Sequence, residues 1–237
     1  MKILVGDTGS KANIKFLREH GWGRMFATRR PRPYEFEPWG FDNGAFVAWT
    51  RGESFPEEVF MRRLDEALKV NSDPIVSVCP DIVAGGMKSL EFSVRCMERL
   101  PSYWPWFLAV QDGMTQEGVL GVVHLFSGIF LGGTNEFKLQ AYRWSRLAHF
   151  ADKKFHYGRA GTLRKIRHAW KVDADSIDSS FPLWTVERLG IFRDEWKALQ
   201  REEQLSLCLS AGKTSTDGAS VDILNENGEA CASCAPK

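Results

Sequence analysis

The chain has 237 residues and a mass of 26.9 kDa, which is enough for one barrel-sized domain with a short appendage and too little for a large multidomain assembly. Hydrophobic residues make up 43% of the sequence and charged residues 26%, a balance that is typical of a globular protein and excludes disordered, collagen-like and disulfide-scaffold chains. The formal net charge is +1, so only a local concentration of charge can argue for a polyanionic partner.

The sequence contains no run of about 18 uncharged apolar residues and no signal-peptide pattern at its start, so we expect a cytoplasmic protein without a membrane span. Its five cysteines are an odd number without framework spacing, which fits a reducing compartment. Cys231 and Cys234 form one CxxC motif, but a structural zinc site needs four ligands and no second pair lies nearby. We therefore expect no metal at this motif. The sequence carries no signal for the oligomeric state.

Short apolar runs that end in Gly, Asp, Asn or Thr alternate with longer stretches of helical period. Eight runs are predicted as strands, at residues 3–6, 24–27, 40–41, 75–79, 107–110, 128–131, 154–157 and 175–177. The clearest helical stretches are residues 56–70, 87–99, 115–125, 136–151 and 162–171, with a further amphipathic helix at 184–207. This alternation predicts a compact α/β fold, a (β/α)8 barrel of the TIM type, with a doubly wound open sheet as the alternative.

This pattern divides the chain into two parts. Residues 1–209 are predicted to form a single catalytic domain that ends in the C-terminal helix. Residues 210–237 contain few large apolar side chains and cannot bury enough surface to order themselves, so they are predicted to be a flexible tail.

The chemistry of such a barrel lies at the C-terminal ends of its strands, so the residues that follow each apolar run are the informative ones. These positions are rich in carboxylates and small polar residues: Asp7, Thr28, Asp42, Asp81, Gln111 with Asp112, Gly132 with Gly133, Gly158 with Arg159, and Asp178. A single Asp after a strand is often only a helix cap. Several at one end of a barrel favour displacement at an anomeric carbon, while two carboxylates that hold Mg²⁺ remain the alternative.

Positive charge is concentrated late in the barrel. Residues 138–171 contain ten Lys or Arg residues and one acidic residue, interleaved with aromatic side chains. On the later helices this charge would flank the barrel mouth and could follow a phosphate backbone, with Arg159, Arg164, Lys165 and Arg167 as candidate contacts. The alternative interpretation is a solvated helix face whose aromatic residues pack inward.

The order of these motifs between residues 40 and 184 resembles the tRNA-guanine transglycosylase superfamily, and within it the shorter phage-type enzymes that insert 7-deazaguanine bases into DNA. Six short motifs carry the resemblance: Phe41-Asp42-Asn43-Gly44-Ala45-Phe46, Pro80-Asp81-Ile82, Val110-Gln111-Asp112-Gly113, Leu131-Gly132-Gly133, the segment 156–162, and Asp175-Ser176-Ile177-Asp178. The Cys-x-Cys-x-x-Cys zinc cluster of the tRNA-modifying members is missing, and their Thr-Arg after the nucleophile is replaced by Phe181-Pro182-Leu183-Trp184.

The resemblance implies an enzyme, a pentosyltransferase that exchanges guanine for a preQ0-like 7-deazaguanine base through a covalent Asp-glycosyl intermediate. Its partners would be DNA, with tRNA less favoured, and the free 7-deazaguanine base. It would require no metal and no organic cofactor. Asp178 would be the nucleophile and Asp42 the general acid/base. The base would be held by Asp81 at its N1–H and amino edge, and by Gln111, Gly132 and Gly133, with Gln111 and the Gly133 N–H facing O6.

Three alternatives remain open at this point. The same residues could serve a tRNA-guanine transglycosylase, or a nucleobase N-glycosidase that uses water as the acceptor. In a third interpretation the positive charge binds nucleic acid but the carboxylates have no catalytic role, so the protein would be a non-catalytic nucleic-acid-binding module.

Overall fold

A computed structural model describes residues 1–27 and 29–214 of the chain, with side chains up to residue 204. The strands are β1 (Lys2–Gly6), β2 (Gly23–Phe26), β3 (Gly40–Phe41), β4 (Val76–Val78), β5 (Trp106–Val110), β6 (Gly128–Leu131), β7 (Lys154–Tyr157) and β8 (Ser176–Ser179). The helices are α1 (Lys11–His20), α2 (Ala45–Thr50), α3 (Glu57–Ala67), α4 (Met87–Met97), α5 (Gln116–Val122), α6 (Asn135–Lys138), α7 (Ala141–Phe150), α8 (Leu163–Lys171) and α9 (Val186–Thr214). Short 3₁₀ turns follow α5 and β8.

The eight strands form a closed parallel barrel in chain order. Each strand pairs with the next one, and β8 pairs back to β1 through the register Leu4 with Asp178. The predicted (β/α)8 barrel is therefore confirmed, and the open-sheet alternative is wrong. Residues 1–195 form one compact unit that contains the whole barrel, and residues 196–214 are the described part of a second unit.

The interior of the barrel is filled by apolar side chains that alternate along the strands. The buried cluster comprises Leu4, Met25, Val76, Val78, Phe107, Ala109 and Phe130. Gly40 lies in the same layer because there is no room for a side chain: a Cβ at this position would lie 2.6 Å from the Met25 Sδ atom. Because the side-chain period of a strand is two, positions 42, 111 and 178 are in phase with the inward-facing positions 40, 109 and 176.

The connection between β2 and β3 departs from the alternating pattern. Residues 29–39 contain no helix, although a barrel of this class usually has one there. A buried ion pair holds the connection instead: Arg24 donates from both Nε and Nη2 to the Glu37 carboxylate, at 2.8 Å each. Arg24 Nη2 also donates to the Arg32 carbonyl at 2.7 Å. Hydrogen bonds to Arg24 of β2 therefore hold this segment in place.

Most of the predicted element bounds lie within one or two residues of the observed ones. The stretch predicted as one helix at 136–151 is two helices, since the helical pattern is interrupted at Leu139 and Gln140, just after Lys138 reaches the ends of β6 and β7. Two helices, α1 and α2, were absent from the prediction. Helix α1 has local signals that predict it, a Ser10 side chain that caps its first turn and Gly21 at φ 63° after its last.

The C-terminal helix is longer than predicted. Helix α9 continues to Thr214, so the first five residues of the predicted flexible tail are helical. The remainder of that tail, with its CxxC motif, lies outside the described residues, as does Thr28. A search of the described helices finds none with both the length and the apolar character of a membrane span.

Candidate active site

A cavity of about 620 Å³ opens at the C-terminal end of the barrel. This volume lies within the range of small-ligand sites. The predicted site residues in its lining follow β3 to β7 in order: Asp42, Asp81, Gln111, Gly132, Gly133 and Arg159. The barrel therefore brings predicted site residues from five separate loops to one cavity.

Asp178 is not part of the lining of this cavity, but it is hydrogen-bonded to Arg159, which is. The Asp178 Oδ1 atom accepts a hydrogen bond from the Arg159 backbone N–H at 2.9 Å and another from His156 Nε2 at 3.1 Å. Both bonds use the same oxygen, and 17% of the side chain is exposed. The carboxylate is therefore fixed by hydrogen bonds but remains partly accessible. Its charge also acts on Asp42, which places the two carboxylates in one electrostatic environment.

The environments of Asp42 and Asp178 shift their pKa values in opposite directions. Burial raises the pKa of Asp42, and the negative charge of Asp178 raises it further, against the opposing effect of the Gly44 N–H that donates to it at 2.7 Å. Burial would also raise the pKa of Asp178, but the hydrogen bonds from His156 and from the Arg159 N–H, together with the Lys138 charge, outweigh it and lower that pKa. Two carboxylates whose environments shift their pKa values apart are suited to different acid–base roles.

Asp81 belongs to a buried network of amides and hydroxyls. Asn43 Nδ2 donates to the Asp81 Oδ1 atom at 2.8 Å and to the Cys79 carbonyl at 2.7 Å. Burial raises the pKa of Asp81 to about 6, with the Asn43 bond opposing the rise and the Asp42 charge adding to it. At neutral pH Asp81 is thus an ionised acceptor in the cavity wall, held by neutral donors.

Gln111 joins the same network through its amide nitrogen. Gln111 Nε2 donates to Ser89 Oγ at 2.9 Å, to the Ile82 carbonyl at 3.0 Å and more weakly to Asp81 Oδ2 at 3.4 Å. Because the Ile82 carbonyl and the Asp81 carboxylate are acceptors only, the amide must place nitrogen on that side. Gln111 therefore presents its oxygen to a ligand, which does not match our expectation that it faces a guanine O6.

The Gly132–Gly133 turn depends on the absence of side chains. Gly133 has φ 72°, and a Cβ there would lie 2.7 Å from both Asp112 Oδ2 and Phe137 Cδ1. The Asp112 carboxylate holds the turn by accepting from the Thr134 N–H at 2.8 Å and from the Thr134 hydroxyl at 2.7 Å. The Gly132 N–H donates to the Val110 carbonyl, and within the described residues no hydrogen bond uses the Gly133 N–H. Asp112 thus stabilises the conformation of this turn.

Asp7 does not join the site. Its carboxylate lies 3.9 Å from Arg24 and 3.8 Å from Arg29, and it is not part of the cavity lining. In this position it adds to the charges around the ion pair of the β2–β3 connection.

Three cationic residues also line the cavity: Lys138, Arg159 and Lys165. The Lys138 ammonium is buried and donates to the Leu131 carbonyl at 3.1 Å and to the Gly158 carbonyl, which joins the ends of β6 and β7. Burial and, to a smaller extent, repulsion from Arg159 lower the pKa of Lys138 to about 7, against the attraction of Asp178. Sequence reasoning had counted Lys138 only as a surface charge.

The four candidate nucleic-acid contacts occupy three different environments. Arg159 and Lys165 line the cavity, and Arg164 is exposed on α8. Arg167 instead forms a bidentate ion pair with Glu195, with Nη2 donating to Oε2 at 2.8 Å. The positive charge at the mouth is therefore smaller than the composition of residues 138–171 suggests.

An aromatic pair completes the mouth. Phe46 and Trp49 both line the cavity and stack on each other with ring centroids 5.8 Å apart. The Arg159 guanidinium lies 4.1 Å from the centre of the Phe46 ring and also donates to the Gly133 carbonyl at 3.1 Å. The side chain of Arg159 thus bridges the mouth from β7 to α2.

Among residues 1–27 and 29–214, no group of three or more His, Cys, Asp or Glu side chains is placed to hold a metal ion. Comparison of the chain with protein-family models and with curated proteins finds no match.

Proposed function

We propose that the protein is a transglycosylase that exchanges guanine for a 7-deazaguanine base in DNA. The observation that carries the proposal is the pair Asp42 and Asp178, two interacting carboxylates with opposite pKa shifts. Asp42 lines a cavity of ligand size, and Asp178 is hydrogen-bonded to Arg159 in the lining of the same cavity. Displacement at an anomeric carbon needs one ionised carboxylate as nucleophile and one protonated carboxyl group as acid.

The cavity walls offer complementary groups for a guanine. Guanine has two donors on one edge, N1–H and the exocyclic amine, and these face the Asp81 carboxylate and the Gln111 oxygen in the proposed complex. The Gly133 N–H donates to O6. The exposed rings of Phe46 and Trp49 supply the flat apolar surface on which a nucleobase stacks. A base within a duplex must leave the stack to reach them.

The exchange then proceeds in two displacements. Asp178 attacks C1′, the C1′–N9 bond breaks, and Asp42 gives its proton to the departing guanine. The incoming 7-deazaguanine then loses its N9 proton to the Asp42 carboxylate and attacks C1′, which returns the bonding pair to Asp178. Two inversions restore the original configuration, as in retaining glycosidases.

DNA is proposed over tRNA because the sequence lacks both the Cys-x-Cys-x-x-Cys cluster and the Thr-Arg pair that help to seat tRNA in the enzymes this chain resembles. Arg159, Lys165 and Arg164 are the proposed contacts to phosphates beside the target nucleotide.

The test is a base-exchange assay. The protein is incubated with a guanine-containing DNA oligonucleotide, with and without free 7-cyano-7-deazaguanine, and the nucleosides are analysed after digestion. We expect exchange only with the free base, a denaturation-resistant protein–DNA adduct, and a loss on the order of 10³-fold or more in Asp178→Asn. Asp173→Asn is the matched control, since Asp173 is exposed with φ 58°, a conformation that Asn tolerates.

Other products would refute the proposal. Release of guanine in the absence of a second base would identify a hydrolytic N-glycosidase. Modification of tRNA in place of DNA would make the enzyme a tRNA transglycosylase. Binding of DNA with no change of its nucleosides would identify a non-catalytic module.

A further inference from the structure

His156 is a buried imidazole in the wall of the barrel, one strand away from Asp178. None of its surface is exposed, and its ring stacks on Phe130 with centroids 4.8 Å apart. Its Nδ1 atom lies 2.8 Å from Ser176 Oγ and its Nε2 atom lies 3.1 Å from Asp178 Oδ1. Both partners are on β8, so the register of β7 against β8 aligns the three side chains.

The hydrogen-bond partners determine where the proton lies. An ionised carboxylate can only accept, so the proton of the imidazole must be on Nε2, and the Ser176 hydroxyl can donate to Nδ1. The ring orientation is fixed by Phe130 on its face and by Ser176 at its other nitrogen. The Nε2–H donor is therefore directed at one oxygen of the carboxylate, Oδ1.

The Arg159 backbone N–H donates to the same oxygen from the loop after β7. Two donors on Oδ1 hold the carboxylate plane and leave Oδ2 as the oxygen with the free lone pairs. Arg159 has φ 52°, an uncommon conformation for a residue with a side chain, and it is this backbone that turns its N–H toward Asp178.

We propose that His156 is the positioning residue of the nucleophile: with the Arg159 N–H it holds Oδ1 of Asp178, so that Oδ2 is the atom that attacks the anomeric carbon. This inference rests on the proposed function, and it names an atom and a residue that the carboxylate pair alone does not specify.

The same two donors act in both displacements. In the first, the bond from Oδ2 to C1′ forms as the C1′–N9 bond breaks, the bonding pair leaves with the guanine, and Oδ1 becomes the carbonyl oxygen of a glycosyl ester. In the second, the C1′–Oδ2 bond breaks and its electron pair returns to the carboxylate. Donors preorganised at Oδ1 stabilise the negative charge that develops there as the carboxylate leaves. No proton is transferred to or from His156.

Other charged groups also face the nucleophile and must be considered in any pH dependence. Lys138 on α6 favours the ionised form of Asp178, as does the hydrogen bond from the Arg159 backbone N–H, while Asp42 after β3 and Asp178 repel each other when both are ionised. None of these groups changes in a His156 variant. A change in the titration of Asp178 between variants therefore reports the His156 contact.

The chain offers a matched control. His149 Nε2 also lies 3.1 Å from an aspartate oxygen, Asp175 Oδ2, but this second pair is on the outer side of the barrel and is partly exposed. The experiment compares the wild type with His156→Leu, which removes the donor, His156→Gln, which keeps an N–H donor, and His149→Gln.

The first measurement is the ¹³C NMR titration of the Asp178 carboxyl group without substrate, its signal being assigned by its loss in Asp178→Asn. We expect a midpoint below the ordinary Asp value in the wild type, a rise of about one pH unit in His156→Leu, and little change in His156→Gln or His149→Gln. A wild-type midpoint at or above the ordinary value overturns the proposal even if the Leu variant does not fold.

The second measurement is the pH profile of base exchange. We expect the acid limb of kcat/KM to move to higher pH by the same amount in His156→Leu, with kcat lowered by about 10²-fold, KM for DNA little changed, and most of the loss recovered in His156→Gln. An unchanged limb and rate in a folded Leu variant overturn the proposal. If the titration shifts as expected but the wild type exchanges no base, the proposed function fails, and with it the assignment of Oδ2 as the attacking oxygen.

Discussion

Replacement of Asp81 by Asn is expected to stabilise the protein at neutral pH while it removes guanine recognition. Asp81 is 8% exposed, and its hydrogen-bond partners are the neutral amides of Asn43 and Gln111. Burial raises its pKa from 3.8 to about 6. An ionised Asp81 at neutral pH is thus a cost to folding that a neutral side chain of the same shape avoids.

The size and the sign of the effect follow from linkage. A pKa difference of about two units corresponds to about 3 kcal/mol, or roughly 6–12 °C in Tm for a protein of this size. The folded state binds the Asp81 proton more tightly than the unfolded state, so the stability that this group contributes is present below pH 3.8 and is lost as the pH rises to about 6. The advantage of Asp81→Asn should therefore be small at pH 4 and complete above pH 7.

The assay is urea unfolding of the wild type and Asp81→Asn from pH 4 to 8. Asp112→Asn is a control, because its stability relative to the wild type should change with pH in the opposite direction. Burial would raise the pKa of Asp112, but the Thr134 hydrogen bonds outweigh it and lower that pKa. The free energy of unfolding of Asp112→Asn should therefore drop further below that of the wild type as the pH rises. A free-energy difference for Asp81→Asn that does not change with pH, or a variant less stable than the wild type at pH 7.5, would refute the reasoning.

Three further predictions concern the scaffold and the mouth. Replacing Glu37 by Leu leaves the buried Arg24 charge without its partner and should lower the free energy of unfolding by about 3–5 kcal/mol, which urea denaturation measures; the double change with Arg24→Met should recover most of the loss. Gly133→Ala should lower Tm and weaken base binding in calorimetry, because φ 72° and a 2.7 Å contact both oppose a Cβ; wild-type values would contradict this. Lys165→Ala should reduce the salt dependence of DNA binding, whereas Arg167→Ala, which removes a residue paired with Glu195, should leave it nearly unchanged. Equal effects of the two variants would contradict the proposal that Lys165 contacts a phosphate and Arg167 does not.

Most of the fold could be predicted from the sequence, because its main signals are local. Apolar runs of strand length that end in Gly or Asp, separated by stretches of helical period, are sufficient to identify a barrel. The helix-free connection between β2 and β3 could not be predicted, since the Arg24–Glu37 pair joins two residues whose polar side chains indicate exposure when each is considered alone. Helix α2 is only six residues long and is difficult to predict for that reason.

Most of the predicted site residues line one cavity, and the roles assigned to them stay predictions. Asp42, Asp81 and Gln111 follow successive strands, and parallel strands bring all their C-terminal ends to one side. The orientation of the Gln111 amide was wrong because it depends on the Ile82 carbonyl and Ser89, which another loop and a helix supply. Position along the chain does not report which atom of a side chain is already bound.

The sequence by itself determined which residues can meet. Strand alternation directs positions 42, 111 and 178 inward, and the order of the strands around the barrel follows the order of the chain. These are consequences of backbone geometry, which each segment carries locally.

Only the tertiary structure decided the chemical state of those residues. The low pKa of Asp178 depends on His156 from the neighbouring strand, and the raised pKa of Asp42 depends on burial and on a carboxylate more than a hundred residues away in the chain. Lys138 becomes part of the cavity wall because two strand ends offer it their carbonyls. Burial and Coulomb interactions depend on distances through space, and those distances exist only once the barrel has closed.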